Sequence, residues 1–213
     1  ELHLKRLIVG GFEKVFEIGR VFRNEGVSYK HNPEYTLLEL YQAYADYSDM
    51  MSLTENLLNH LVKTFCGSET LSFQDKSISF ALPFKRITMA DVIKEHSGVD
   101  IHSDDLLKKA KELNLDARDN ASRGELIMLI YDKYCEAKLI EPTFVTDYPV
   151  ETSPLAKRHR DKPGIVERFE LIVSGMELAN AFSELNDPIE QKERFEEQLK
   201  EKEAGFEEAH EMD

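Results

Sequence analysis

Between Phe12 and Arg23 the even positions Phe16, Ile18 and Phe22 are apolar, while the odd positions include Glu17, Gly19 and Arg23. That period of two predicts a strand with one face in a core. Glu34 to Tyr44 reads as a second strand, with Leu38 and Leu40 toward the core and Tyr35, Glu39 and Tyr41 sharing the other face. The polar stretch 26–33 between them is too long for a tight hairpin and predicts a mobile loop. Helical spacing then takes over. Met50, Leu53, Leu57, Leu61 and Phe65 form a stripe over 49–65, with Ser52 and Glu55 in capping-box register near its start. A small hairpin over 71–82 turns about Gln74-Asp75-Lys76. Three helices follow over 88–96, 104–113 and 122–138, with capping boxes at Thr88/Asp91 and Ser122/Glu125. Strands are predicted again at 143–147, 166–173 and 176–181, the last two about Ser174-Gly175. Asn186 is placed to cap a final helix, with Pro188 in its first turn and Ile189, Phe195 and Leu199 along one stripe.

Composition fits this picture. In 213 residues, 41% are apolar, 32% are charged and seven are Pro, as in an ordinary globular protein with one substantial core. No apolar run approaches the roughly 20 residues of a membrane helix, and the opening Glu1-Leu2-His3-Leu4-Lys5 is unlike a signal peptide. These features predict a cytoplasmic protein with no membrane partner. Cys66 and Cys135 lie in unrelated helical segments without metal-ligand spacing, so buried free thiols are expected rather than a disulfide or zinc site. A net charge of −14 argues against gripping nucleic acid over the whole surface, so DNA is not an expected partner and any RNA contact is local. The exception to this acidity is 153–164, where Lys157, Arg158, Arg160 and Lys162 fall within six positions. Pro154, Pro163 and Gly164 bracket them, which predicts a mobile basic loop.

The polar face of the first two strands carries the densest chemistry. Arg23 and Glu25 share parity on one strand, and Tyr35, Glu39 and Tyr41 on the next. A guanidinium, two carboxylates and two phenols suit a site that holds an anion beside a cation. A solvent-facing sheet with incidental ion pairs accounts for the same pattern.

The order of the residues narrows this. Phe22-Arg23-Asn24-Glu25, six further residues through His31, and Asn32-Pro33-Glu34-Tyr35-Thr36-Leu37-Leu38-Glu39-Leu40-Tyr41 resemble motif 2 of the class II aminoacyl-tRNA synthetases, in the form used by lysyl-tRNA synthetases. Arg168-Phe169-Glu170, with Gly175-Met176-Glu177 through Glu184-Leu185-Asn186-Asp187, resembles the segment that precedes motif 3. Glu151 to Ala156 resembles their connecting loop.

The resemblance implies an α+β fold, an antiparallel sheet flanked by helices with a helical insertion. Residues 1–82 and 141–213 would belong to the catalytic core and 83–140 to the insertion. It further implies that Arg23 bridges the ATP α-phosphate and the lysine carboxylate, that Glu25 and Asn32 hold the adenine, that His31 reaches the outer phosphates and that Tyr35 stacks on the ring. Phe is commoner at that last position, and Tyr preserves the stack. Glu39, Tyr41 and Glu184 resemble the lysine pocket, and Glu1 and Asn180 the groups that fix the substrate's backbone or amines. Glu170 and Glu177 resemble ligands of Mg2+. A two-residue turn at Ser174-Gly175 puts Ile172 opposite Glu177, which makes Glu170 and Glu177 diagonal neighbours suited to a hard cation. Two acidic residues on the wet side of a hairpin would look the same. Strict alternation sends Asn180 and Glu184 to the face away from Glu177, so a bulge or an early end to that strand is required. The basic loop would then serve as a lid over ATP or the acceptor end of tRNA.

The sequence ends at Asp213 without the glycine-rich strand and arginine-bearing helix of the last class II motif. Motif 1 and an anticodon-binding barrel are also missing. The expectation is a catalytic-domain piece of a homodimeric lysine–tRNA ligase acting on lysine, ATP and tRNA(Lys), inactive by itself. The same residues also fit two other readings: a related enzyme that lysylates a translation factor, and a non-catalytic synthetase-like binding module. Intact Glu39-Leu40-Tyr41 and Glu184-Leu185-Asn186-Asp187 favour tRNA charging over the first.

Overall fold

The computed structural model describes residues 1–24, 27, 28 and 31–203, with side chains as far as 196. The chain divides into two compact units, Glu1–Ala45 and the remainder from Asp46.

The first unit is a helix, α1 (Leu2–Val9), and an antiparallel ribbon of β1 (Lys14–Phe22) and β2 (Glu34–Gln42). The register pairs Phe16 with Leu40, Ile18 with Leu38, Glu17 with Glu39 and Val21 with Tyr35. Both strands and their parity follow the sequence pattern. The burial does not. Phe16, Ile18 and Phe22 are 70%, 64% and 73% exposed, and Leu38 is exposed as well. The reason lies in α1, which the strand pattern did not anticipate: its Lys5 Nζ stands 5.6 Å over the Tyr41 ring, on the opposite, polar face. Among the described residues of this unit no second layer covers the apolar side.

The second unit is built on a four-stranded sheet in the order β5 (Lys85–Thr88), β6 (Thr143–Thr146), β7 (Arg168–Val173), β8 (Met176–Phe182). β5 and β6 are parallel, and the other pairs are antiparallel. A parallel pair needs a crossover, and α3 (Met89–Ser97), α4 (Leu106–Glu112) and α5 (Arg123–Tyr134) lie within it. These helices close one face of the sheet over Val145, Tyr148, Val166 and Ile172. α2 (Tyr47–Cys66) and the hairpin β3 (Thr70–Phe73)–β4 (Lys76–Ser79) belong to the cluster on the other face. There Phe80, Phe84, Phe144 and Phe169 run in a chain with ring centroids 5.9, 5.9 and 5.0 Å apart. The fold is α+β, with segregated helices and a largely antiparallel sheet.

Local chemistry explains where the elements start. Thr88 and Ser122 cap α3 and α5 as expected. α2 begins earlier than its stripe suggests, because Asp46 and Asp49 form the capping box. Ser52 is already inside the helix, and the Glu55 carboxylate turns to accept from Phe84 N–H at 3.0 Å and from Arg86 at 2.8 Å. Asp187, not Asn186, caps α6 (Pro188–Glu203), accepting from the N–H of Ile189 at 2.9 Å. Of the expected apolar stripe of α6, Ile189 is exposed, Phe195 is half-buried and the Leu199 side chain lies outside the described residues, while Arg194 is buried at 4% exposure. Cys135 is buried, and burial pushes its thiol up to about 12, whereas Cys66, at the end of α2, is exposed. Among the described residues no helix is long and apolar enough to cross a membrane.

Candidate functional site

On the ribbon, β-register gathers part of the expected constellation. Arg23 N–H donates to Pro33 O at 2.9 Å, which extends the ladder one step past β1. Its guanidinium lies 5.8 Å from the Tyr35 ring centroid, on the face that also carries Glu39 and Tyr41. Tyr41 Oη donates to Glu39 Oε1 at 2.6 Å, aiming that carboxylate, and the Glu1 backbone nitrogen is 3.6 Å from Glu39 Oε2. Glu1 Oε1 meets Lys5 Nζ at 2.9 Å. His31 and Asn32 are exposed at the end of the intervening loop. Ser28 and His31 hold each other there through Ser28 Oγ and His31 Nδ1, 2.9 Å apart, and through Ser28 N–H to His31 O at 3.0 Å. Glu25, with Gly26, Tyr29 and Lys30 of the expected mobile loop, lies outside the described residues.

On the sheet, the required bulge is present. The turn pairs Val173 with Met176 and Ile172 with Glu177. The register then shifts, so that Leu171 faces Ala179 and Glu170 faces Asn180. Leu178 is the extra residue and is 53% exposed. Glu177 and Asn180 thereby fall on the same face as Glu170 and Ile172. Arg168 ties this face together. It donates to Glu170 Oε1 at 2.6 Å, to Asn180 Oδ1 at 3.2 Å, to Thr152 O at 3.2 Å and to Ser153 Oγ at 2.9 Å, and its guanidinium stacks 4.5 Å over Tyr148. Glu170 is buried at 8% exposure. Near it the Tyr148 and Tyr131 hydroxyls are buried, with no hydrogen bond of good geometry among the described residues. Burial, reinforced by the Glu170 charge, raises both phenols and keeps them neutral. A cleft of about 220 Å³ opens between the segment 152–156 and Arg168, Asn180 and Phe182.

Glu184 lies just past β8, where its backbone bridges to Ala156. The basic segment expected to be a mobile lid is instead pinned along its length. Arg158 bridges to Val166, and His159 N–H donates to Ile165 O at 2.9 Å. Three of its cations are committed: Arg158 to Glu190, Arg160 to Glu167 and Asp46, and Lys162 to Asp147. Glu167 is 1% exposed. The Arg160 guanidinium, working against burial and helped by the Ser183 hydroxyl, holds its carboxyl down at about 2. Acidic partners in the fold, invisible to a local count of charge, turn an apparent phosphate attractor into a strap.

Sequence reasoning gave no role to Arg168, Ser153 or Arg194. A cation flanked by strand residues in a buried strand was the available signal for Arg168. Arg194 sits among Glu and Lys on α6 and offered none.

A family profile described as tRNA synthetases class II (D, K and N) matches residues 1–212. Over its whole length the chain is 57% identical to a lysine–tRNA ligase of Thermoanaerobacter pseudethanolicus, covering 44% of that protein. It is 56% identical to one from Thermotoga sp. (strain RQ2), covering 43%, and 53% identical to one from Trichormus variabilis, covering 39%. The chain thus spans less than half the length of these curated relatives.

Proposed function

The chain belongs to the class II tRNA synthetases of the D, K and N group, and from that premise we propose that it forms part of the catalytic domain of a lysine–tRNA ligase. The observation that carries this reading is the 53–57% identity, along the entire chain, to proteins each named as such a ligase. In this reading 1–82 and 141–213 belong to one catalytic core, and 83–140 is a helical insertion. The protein acts in the cytoplasm as a homodimer on lysine, ATP and tRNA(Lys).

The chemistry follows from the groups on each face. Arg23 spans the lysine carboxylate and the α-phosphate. It holds nucleophile and phosphorus together and meets the charge that builds as a carboxylate oxygen bonds to phosphorus and pyrophosphate departs. Tyr35 supplies the ring on which adenine stacks, Glu25 and Asn32 hold the adenine edge, and His31 reaches the outer phosphates. In the second step the 3′-terminal hydroxyl of the tRNA attacks the lysyl carbonyl and AMP leaves. Glu39, aimed by Tyr41, and Glu184 face the substrate's ammonium groups, because a cation leaving water needs paired carboxylates. Glu1 and Asn180 fix its backbone or amines.

Two carboxylates on one face, Glu170 and Glu177, fit Mg2+ arriving with ATP, a hard ion that keeps several waters and takes phosphate oxygens. When bound, that ion neutralises triphosphate charge. Arg168 holds one Glu170 oxygen at 2.6 Å.

The test is Glu184→Gln in the full-length gene product. Loss of one charge-assisted contact, about 2–3 kcal/mol, weakens lysine roughly a hundredfold while ATP is little changed. Lysine and ATP constants moving together in pyrophosphate exchange would refute the assignment.

A further inference from the structure

The loop that walls the cleft is held from behind by α6. Arg194 Nη1 donates to the carbonyl of Ser153 at 3.0 Å and to that of Ala156 at 2.7 Å. One turn earlier on the same helix face, Gln191 Nε2 donates to Pro154 O at 3.2 Å. The remaining edge of the guanidinium pairs with Glu190, which also receives Arg158 Nε at 2.6 Å. On its far side the loop pairs with the segment that carries Glu184. Lys157 N–H donates to Ser183 O at 2.8 Å and Leu185 N–H to Leu155 O at 3.0 Å, bracketing the Ala156–Glu184 bridge. The intervening chain closes the ring, because Asp187 caps the helix on which Arg194 sits.

A buried guanidinium is costly unless its donors are satisfied, and an apolar residue would glue α6 down at lower cost. What a guanidinium adds is a planar head that holds both carbonyls on one nitrogen, Nη1, while its Nε and Nη2 edge is anchored in a fixed orientation by Glu190. Those carbonyls flank the backbone from which Glu184 takes its alignment. We propose that Arg194 is a positioning residue for Glu184, setting through the Ser153–Ala156 loop where that carboxylate stands for the substrate's ammonium group. This rests on the ligase reading and adds to it a determinant of lysine affinity that touches no substrate.

The experiment is a double-mutant cycle in the full-length gene product, with lysine and ATP constants from pyrophosphate exchange. Arg194→Lys keeps the charge but cannot span both carbonyls and Glu190. It raises the lysine KM roughly tenfold, with kcat and the ATP KM within about twofold. In a Glu184→Gln background the same change has little further effect, because the group it aims is already impaired. Gln191→Met, a milder loss of the Pro154 contact, shifts the lysine KM in the same direction by a smaller factor and keeps the test available if Arg194→Lys fails to fold. Equal shifts in lysine and ATP, an unchanged lysine KM in folded variants, or an Arg194 effect that persists undiminished in Glu184→Gln overturns the inference. A lysine constant indifferent to Glu184→Gln alone overturns the Glu184 assignment, whereas a full-length product with no lysine-dependent pyrophosphate exchange overturns the ligase reading first.

Discussion

The ribbon of the first unit and the sheet of the second are both strands with alternating side chains, yet they hold their chemistry in different ways. In β6 and β7 both faces are packed, and Phe144, Val145, Phe169, Leu171 and Ile172 are buried. In β1 the apolar face is open. Side chains on the sheet are therefore set by two cores and by an ion network, whereas Arg23, Tyr35, Glu39 and Tyr41 are set by one strand pair and a short helix. Parity alone decides which residues share a face. Whether that face is rigid depends on what covers the other one.

Matched substitutions in the 213-residue chain, read by denaturant unfolding, sharpen the contrast. The largest effect is expected at Phe144→Ala, which empties a position stacked between Phe84 and Phe169 and costs about 3–5 kcal/mol. The formally similar Phe16→Ala stays within about 0.5 kcal/mol. A comparable loss at Phe16 would break the comparison.

Ion pairs come next. Glu167→Gln, under Arg160, costs about 2–3 kcal/mol, whereas Glu34→Gln, in the exposed Arg20–Glu34 pair, costs less than about 0.5 kcal/mol. The pH dependence carries the same signature. The folded Glu167 carboxyl sits at about 2 against an ordinary value of 4.5. A depressed folded value means that the extra stability is fully present above about pH 4.5 and lost as pH falls from there through about 2. Glu167→Gln flattens the acid limb of the stability profile in that window. A variant that retains the full slope would show that other carboxyls produce it.

The smallest contrast is between glycines. Gly175 has φ +71°, and an added Cβ would lie 3.0 Å from Ala137 Cα, so Gly175→Ala costs about 1–2 kcal/mol. At Gly19 the nearest atom is 3.6 Å away, at the end of the Glu17 side chain, and Gly19→Ala is neutral or slightly stabilising. Equal effects at the two sites would argue that the ribbon is as constrained as the sheet.

What was legible in the sequence follows the range of the forces involved. Period-two and helical spacing are local, so β1, β2, the Gln74-Asp75 turn and the capped starts of α3 and α5 could be read directly. The need for a bulge in β8 could be deduced, since without one Asn180 faces away from Glu177. Its place at Leu178 could not, because that is fixed by the register of the hairpin as a whole. Misreadings came where a distant partner decides. Arg158, Arg160 and Lys162 look like a free basic run until Glu190, Glu167 and Asp147 arrive from 7 to 32 residues away. Arg194 looks like surface until the carbonyls of Ser153 and Ala156 surround it. β5 is not legible locally because its pairing partner lies beyond the whole helical stretch.

The bulge at Leu178 makes the number of residues in β8 differ from the number of steps the sheet counts. Leu178 is a spacer, present in the chain but skipped by the ladder. A chain lacking it would still join Ile172 to Glu177 and Glu170 to Asn180 by plain alternation, with no irregularity at all. Removing Leu171 from β7 has no such slack, since it turns Glu170 and Arg168 to the reverse side together. The hairpin therefore tolerates a change of length on one arm and forbids it on the other, and the tolerant arm is the one whose outward leucine the core does not use.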